Sequence, residues 1–271
     1  MRPYLSTFAA RFRTLLQYRA AAWAGFGTQT FFGFVRVMIF SAFYASTTTQ
    51  PPLSFAQMMS YIWLGQALFA LIPLREDPEI AAMIRSGDVA YELVRPVHLY
   101  AYWFARAVAQ RTAPVLLRAA PMVVVAAGIL PIAGGGRWGL GAPASASAGA
   151  LFGLSIVAAL LLACTFSLLI STSMLWTVSG EGVSTLFPVI VWSLSGMVLP
   201  MPFFPPALQR VFVLLPFRGL MDVPFRIYTG SIVGSRALGE IAVQLAWVVA
   251  LAWTGNALVK RGLRRAVLQG G

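Results

Sequence analysis

Half of the acidic residues in the chain lie in one short segment. Asp77, Glu79, Asp88 and Glu92 supply four of its eight carboxylates, and long apolar runs stand on both sides of them. A polar segment in such a chain is where a membrane protein meets a soluble molecule. The chemistry offered by residues 77–96 is therefore recognition of a partner, and it indicates that this chain does not work alone.

The same segment carries the residues that begin and end a helix. Asp77 can cap an N-terminus, Pro78 suits the first helical position, and Gly87 suits the C-terminal cap. These residues predict a helix over 78–87 that is roughly 13 Å long.

One side of this predicted helix is apolar. Ile80, Met83 and Ile84 form a compact knob that would suit a groove on a partner, and Asp88 and Glu92 would add polar contacts. The alternative is a helix that packs on its own chain. The sequence leaves both open.

Residue types that catalysis would need are scarce. His98 is the only histidine, and it lies in the polar segment. Ser195 and Gly196 resemble a serine-protease membrane motif, but no histidine from another span can pair with the serine. All eight acidic residues fall in loops or near the ends of apolar runs, which argues against a metal site within the membrane.

The chain also lacks a nucleotide-binding phosphate loop. No Gly-x-x-x-x-Gly-Lys-Ser/Thr pattern occurs, and Lys260 is the only lysine. We therefore expect no cofactor, metal or ATP bound by this chain and no enzymatic activity of its own.

The composition is that of a membrane protein. Hydrophobic residues make up 59% of the 271 residues and charged residues only 10%, whereas a soluble domain would be about 25% charged. A span needs about 20 apolar residues. We predict an all-α polytopic membrane protein with six transmembrane helices at about 21–45, 54–74, 112–131, 147–171, 183–200 and 239–259.

The N-terminus reads as an amphipathic helix over residues 3–19. Its apolar side chains fall on one face: Tyr4, Leu5, Phe8, Phe12, Leu15 and Leu16. This pattern is typical of a helix lying in the membrane interface. An ordinary helix packed on other cytoplasmic helices is an equal alternative.

Basic residues indicate the topology. With the N-terminus in the cytoplasm, thirteen of the twenty fall on the cytoplasmic side and five on the outer side. Since positive loops face the cytoplasm, both termini and residues 77–96 are predicted inside. The net charge of +12 is explained in this way, and nothing resembles a nucleic-acid module.

Two loops connect the predicted spans on the outer side. Residues 131–143 are glycine-rich and predict a flexible loop. Residues 201–238 contain too many prolines for one span, and we interpret them as two short helices that dip into the outer leaflet and return. An amphipathic loop on the outer surface is the alternative.

Arginines near or within the membrane are candidates for function. Arg36, with Gln29 and Thr30 one to two turns before it, could line a translocation pathway, although pairing with a carbonyl or snorkelling would explain it too. Arg118, nearer a span end, is interpreted as a snorkelling residue.

Three outer arginines, Arg210, Arg218 and Arg226, could contact lipid phosphates or an anionic substrate. Asp222 and Glu240 could pair with them inside the chain instead.

The order of motifs resembles a known family. The first motif comprises Ile84, Gly87, Asp88, Leu93, Arg95 and Pro96, and the second runs from Leu194 through Ser195, Gly196, Pro200, Pro205 and Pro216 to Gly230. Together with six spans and an interfacial N-terminal helix, they are similar to type-2 permeases of ABC transporters across nearly the whole chain. The paired, uncharacterised bacterial export permeases are the nearest subfamily, although Leu215 stands where many relatives have Asn before the proline.

The resemblance implies a function. Such a chain is the single-domain membrane half, here residues 1–271, of an exporter in the bacterial inner membrane. A second permease, identical or a sister chain, completes the pathway among the membrane lipids, and two cytoplasmic ATPase subunits bind ATP and Mg²⁺. They dock on a cytoplasmic coupling helix, which corresponds here to Glu79, Ile80, Met83, Ile84, Arg85, Gly87 and Asp88.

Two other classes are weighed against an exporter. An ion-coupled secondary transporter is disfavoured by the lack of a mid-membrane acidic residue and of a visible inverted repeat. A polytopic membrane enzyme is disfavoured by the missing catalytic residues. The sequence does not name the transported molecule.

Overall fold

The computed structural model describes residues 2–176 and 181–269, and every regular element in these two stretches is helical. This confirms the all-helical class for the described residues. Residues 177–180, part of a turn expected over 173–182, lie outside them. The helices are α1 Arg2–Leu16, α2 Arg19–Ser46, α3 Phe55–Ala67, α4 Pro78–Ser86, α5 Val89–Leu93, α6 Leu99–Val123, α7 Ala146–Ser173, α8 Glu181–Leu194, α9 Pro206–Phe212, α10 Asp222–Tyr228 and α11 Gly234–Gln269.

Within the described residues, four helices are long and apolar enough to cross a membrane. They are Arg19–Ser46, Leu99–Ile129, Ala146–Ser173 and Gly234–Arg264. At 28 to 31 residues each exceeds the length that a bilayer core requires. They correspond to the first, third, fourth and sixth predicted spans.

The second and fifth predicted spans are shorter helices, so the count of six remains a prediction. The helix α3 has 13 residues and gives way to a 3₁₀ turn at Phe69–Leu71. The helix α8 has 14 residues, with Pro188 inside it, and is followed by Gly196 in the left-handed region. A left-handed glycine commonly follows the end of a helix, which explains where α8 ends.

The short helix α3 is nevertheless the centre of the packing. Ten of its thirteen residues are buried, and it begins with a capping box made by Ser54 and Gln57. On α2, Gly33 lies so close to Trp63 that a Cβ atom would come within 2.8 Å of the indole ring. The glycine is therefore what lets α2 approach α3.

The helix α6 begins earlier than the sequence indicated. We expected a polar segment over 75–111 and a span that begins only at about 112. The helix instead starts at Leu99, where the His98 imidazole accepts a hydrogen bond from the Ala101 N–H. Beyond Pro121 the turns widen to a π-helix over Val124–Ile129. Proline removes a donor from the helical ladder, and a π turn is one way to accommodate the loss.

The helix α1 packs along the first half of α6. The Tyr4 hydroxyl accepts a hydrogen bond from the His98 N–H at 3.0 Å, and the rings of Phe8 and Phe12 stack with 5.5 Å between centroids. Leu5 stays exposed. One side of α1 thus meets its own chain, and its location in the membrane interface remains a prediction.

The glycine-rich loop over 131–143 is held in place. The Trp63 indole N–H donates to the Trp138 carbonyl at 2.6 Å, the Gly141 N–H donates to the Ser60 hydroxyl, and the Tyr228 hydroxyl donates to the Gly141 carbonyl. These hydrogen bonds tie the loop to α3 and α10 through partners that the loop sequence does not reveal, and its flexibility remains a prediction.

Two short helices, α9 and α10, occupy the proline-rich segment 201–238. They differ in burial: α9 is largely exposed, while six of the seven residues of α10 are buried. The Phe225 ring meets Tyr61 of α3, and the Tyr228 ring meets Phe152 of α7, each at 5.0 Å between centroids. A loop lying on the surface therefore does not describe α10.

Gln244 joins three parts of the chain. Its amide donates to the Gly219 carbonyl at 2.6 Å and to the Ser155 carbonyl at 3.3 Å, and its oxygen accepts from the Ser155 hydroxyl at 2.9 Å. The side chain is buried. It thus binds α11 to α7 and to the turn before α10.

Replacing Gln244 should destabilise the fold. We expect Gln244→Leu to lower the free energy of unfolding by about 2–4 kcal/mol, because buried polar groups left without partners cost about 1–3 kcal/mol each. Denaturant unfolding of the purified protein in detergent measures this. Gln50→Leu, an exposed position with no side-chain hydrogen bond in the described residues, is the control, and equal effects of the two changes would contradict the role of Gln244.

Candidate functional site

The helix α4 forms as its end residues dictate. The Asp77 carboxylate accepts hydrogen bonds from the N–H groups of Glu79 at 2.9 Å and Ile80 at 3.3 Å, and Pro78 takes the first helical position. Gly87 follows with φ of 81°, which favours glycine. The helix Pro78–Ser86 therefore lies within one residue of the predicted bounds.

The apolar side of α4 faces its own chain. Ile80 is fully buried in a cluster with Val89, Trp103 and Leu168, and Met83 and Ile84 pack partly against the same cluster. The knob that we assigned to a partner's groove therefore covers α6 and α7. The physical reason is the early start of α6, which places Trp103 beneath α4.

The exposed side of this region carries other residues. Of the predicted docking set, Glu79, Arg85, Gly87 and Asp88 are exposed, and the exposed surface continues beyond α4. Tyr91 is 74% exposed and Val94 is 84% exposed. Sequence interpretation placed these two in the return to the third span. Helical spacing could have predicted this exposure, because Val89 and Glu92 lie three residues apart on α5 and share its buried face.

Glu79 connects three elements through ion pairs. Its carboxylate binds Arg11 of α1 on one oxygen and Arg106 of α6 on the other, the latter at 2.6 Å. Arg106 also lies 3.7 Å from Asp77. These pairs could not be predicted from the sequence, because the paired residues are far apart in the chain.

These pairs keep Glu79 ionised. Burial raises the pKa of its carboxyl, but the hydrogen bonds from Arg11 and Arg106 outweigh burial and bring the pKa below its usual range. Arg11, Glu79, Arg106 and Asp77 together form the ion cluster that joins α1, α4 and α6.

A further pairing orders the end of the segment. Arg95 donates to the Tyr102 hydroxyl at 3.0 Å, lies over its ring, and forms an ion pair with Glu92 at 3.1 Å. The exposed surface over 82–96 is consequently fixed to α6 at both of its ends.

The residues proposed for a pathway lie along α2. Gln29 is buried, and the Thr30 hydroxyl donates to the Phe26 carbonyl at 2.8 Å. Arg36 donates to the carbonyl of Met197, in the loop after α8. This is the carbonyl pairing that we considered as an alternative, so Arg36 has a partner within the chain.

The outer arginines divide by burial. Arg218 is buried and paired with Glu240 of α11, and Arg226 lies 3.5 Å from Asp222. Asp222 also accepts from Tyr61 at 3.3 Å and from the Met201 N–H at 3.0 Å. Arg210, on α9, is exposed. Of the three, Arg210 is thus the side chain best placed for a lipid or a substrate.

No group of three His, Cys, Asp or Glu side chains that could hold a metal ion occurs within the described ranges. The candidate site is the exposed surface of residues 82–96, which lies beside α4, α5 and the start of α6.

Comparison with known proteins supports one family. A family model described as ABC-2 family transporter protein matches residues 31–270, which include α3 to α11 and most of α2. No curated protein matches the chain. The matched family agrees with the resemblance drawn from the motifs.

Glu79→Gln should remove a pH-dependent contribution to stability. A carboxylate with a lowered pKa stabilises the fold above the pKa of the unfolded state, roughly 4.3 for glutamate, and this contribution is lost as the pH falls through the folded-state pKa. The difference in unfolding midpoint between wild type and Glu79→Gln should therefore be full at neutral pH and vanish in acid.

Glu76→Gln is the matched control, since no ion pair of Glu76 is described in residues 2–176. Its difference from wild type should be small throughout the titration. A Glu79→Gln difference that is the same at pH 3 and pH 7 would rule out the ion cluster.

Proposed function

The chain belongs to the ABC-2 transporter family, and on this premise we propose that it is the membrane permease subunit of a bacterial ABC exporter. Separate ATPase subunits, one for each of two permeases, would bind ATP and Mg²⁺ and dock on residues 82–96. The chain itself would contribute the pathway and not the hydrolysis.

The observation that carries this proposal is the anchored, exposed surface at α4 and α5. It combines charge at Arg85 and Asp88 with apolar exposure at Tyr91 and Val94. Such a mixture is typical of protein interfaces, where an aromatic or aliphatic anchor lies among polar groups.

The same surface is suited to transmit force. Ile80 is buried in one apolar cluster with Trp103, and Glu79 pairs with Arg106, so a displacement of α4 would act on the start of α6. From Leu99 to Ile129 this helix continues for 31 residues, roughly 46 Å, which is longer than a bilayer core. A push at α4 would thereby reach the far side of the membrane through one continuous element.

We further propose six spans, with α3 and α8 as the short second and fifth. Both termini and α4 would lie on the cytoplasmic side of the inner membrane, α1 in its interface, and α9 and α10 would form a re-entrant hairpin at the outer face. The length of α3 is supplemented by the turn at Phe69–Leu71 and by the buried segment that follows.

A second permease, identical or a sister chain, would complete the pathway. The apolar side chains Leu186, Val189 and Ile190 of α8 are exposed in the single chain and would face lipid or this partner. In this arrangement Arg36 would connect α2 to the end of α8 through Met197 and thus couple two walls of the pathway.

Disrupting the exposed surface should release the ATPase. We expect Val94→Asp to weaken binding of a co-expressed ATPase subunit at least about tenfold, because a charge in the centre of an interface is desolvated without a partner. Co-purification followed by titration of the two purified components measures the loss. Arg85→Glu should weaken binding in the same direction.

The matched control is Ile132→Asp. The exposed fraction of Ile132, 88%, is close to the 84% of Val94, but Ile132 lies beyond the opposite end of α6. It should leave binding unchanged. If the complex survives both Val94→Asp and Arg85→Glu, the ATPase docks elsewhere.

The energy source separates an exporter from an ion-coupled transporter. The purified chain alone should show no ATP hydrolysis, and vesicles containing it with its ATPase should transport only when ATP is supplied on the ATPase side. Transport by the isolated chain in response to an ion gradient would favour a secondary transporter instead.

A further inference from the structure

A polar cavity lies where α4, α6 and α7 meet. Its volume is about 660 Å³, within the range of ligand sites, and the arginines Arg75, Arg111 and Arg118 contribute to its lining. The function proposed above uses none of these three side chains.

Arg111 is a structural wall of this cavity. Its guanidinium donates to the carbonyls of Leu71 and Ile72 at 3.3 and 3.4 Å and to the Ser167 hydroxyl. Only its Nε, which is buried, lacks a partner among the described residues. Arg111 thus holds the chain after α3 to α6 and α7.

Arg118 differs from Arg111 in having no partner. It lies seven residues further along α6, which is two turns on nearly the same face and about 10 Å deeper. No hydrogen bond or ion pair joins it to any residue in the described ranges, and its Nε is buried. A charge within a span costs a few kcal/mol unless something compensates it.

The chain makes room for this unpaired guanidinium. A Cβ atom at Gly25 of α2 would lie 2.6 Å from the Arg118 Cζ. Any larger residue at position 25 would displace the guanidinium. The arginine is therefore held beside the cavity by packing although the protein offers it no acceptor.

A second cavity adjoins the first. Leu74, Arg75 and Glu76 line both, and the second cavity, of about 500 Å³, reaches Pro188 and Trp192 of α8. A molecule with an anionic head and an apolar tail would find arginines at one end of this cleft and an apolar helix at the other.

Two carboxylates limit where an anion can bind. Glu76 and Asp77 also line the first cavity. Since Asp77 turns one oxygen to the N-terminus of α4, and like charges repel, an anion is favoured at the deeper end beside Arg118.

We propose that this cavity binds a phosphate group, that of a phospholipid from the leaflet on the side of α4, with Arg118 as the anchor and the nearby positive charge of Arg111 as support. Guanidinium groups bind phosphate through charge-assisted, forked hydrogen bonds. The proposal does not depend on the transport function, because it concerns binding by the single chain.

The test uses the purified, delipidated full chain in a neutral detergent. Phosphatidylglycerol should raise its melting temperature and appear as a bound adduct in native mass spectrometry, whereas diacylglycerol with the same acyl chains should do neither. Arg118→Gln should weaken phosphatidylglycerol binding about tenfold. Gly25→Ala, which keeps the charge but displaces the guanidinium, should weaken it too.

Arg261→Gln, which removes an exposed arginine of α11, is the control for loss of one charge and should bind phosphatidylglycerol like wild type. Without lipid, Arg118→Gln should melt no lower than wild type, since no hydrogen bond within the protein is lost. This separates a binding role from a structural one.

Three results would overturn the proposal in whole or part. Equal binding of phosphatidylglycerol by wild type and Arg118→Gln would remove Arg118 from the site. Equal binding of diacylglycerol and phosphatidylglycerol would exclude phosphate recognition. If inorganic phosphate, compared with chloride at equal ionic strength, reproduced the full shift, the ligand would be free phosphate and not a lipid.

Discussion

Polar groups that enter the apolar interior of this chain need partners inside the protein, because the hydrocarbon of a membrane offers none. The structure satisfies this constraint with single side chains that bridge separate elements. Gln244 connects α11 to α7, Asp222 connects α10 to α3, and Trp63 fastens the loop before α7. Each of these hydrogen-bonded side chains also connects two elements, so the polar residues help to determine how the apolar helices are arranged.

The same constraint shapes the surface at α4. Exposing its apolar face to water would be unfavourable, so Ile80 is buried in a cluster with Trp103 and the polar face remains outside. The ion cluster at Glu79 then fixes α4 to α1 and α6 at once. The helix α4 is thus attached to the rest of the chain by an apolar cluster and by ion pairs.

Local signals in the sequence predicted local structure well. Asp77, Pro78 and Gly87 defined α4 within one residue, because end caps depend on neighbouring residues alone. The four long apolar runs likewise gave four membrane-length helices. The family resemblance rested on the order of such motifs, and the family model covers nearly the same residues.

What the sequence could not predict depends on contacts between distant residues. The direction of Ile80 follows from where α6 begins, and that start depends on a cap at His98 which the polar composition of residues 75–111 concealed. The pairing of Glu79 with Arg11 and Arg106, and of Arg218 with Glu240, joins residues that no local pattern relates. Which arginines have partners depends on such contacts. The sequence therefore could not show that Arg118 lacks a partner among the described residues.

Asp77 brings the two proposed sites into contact. One oxygen caps α4, and the residue also lines the cavity, close enough to Arg111 for their charges to interact. A phosphate beside Arg111 and Arg118 would change the field at Asp77 and so the position of α4. Coupling between two ligands is reciprocal, so if an ATPase subunit docks beside α4 as proposed, it would change phosphate affinity by the same factor as phosphate changes docking. The composition of the nearby leaflet would then tune how tightly the membrane subunit holds its ATPase.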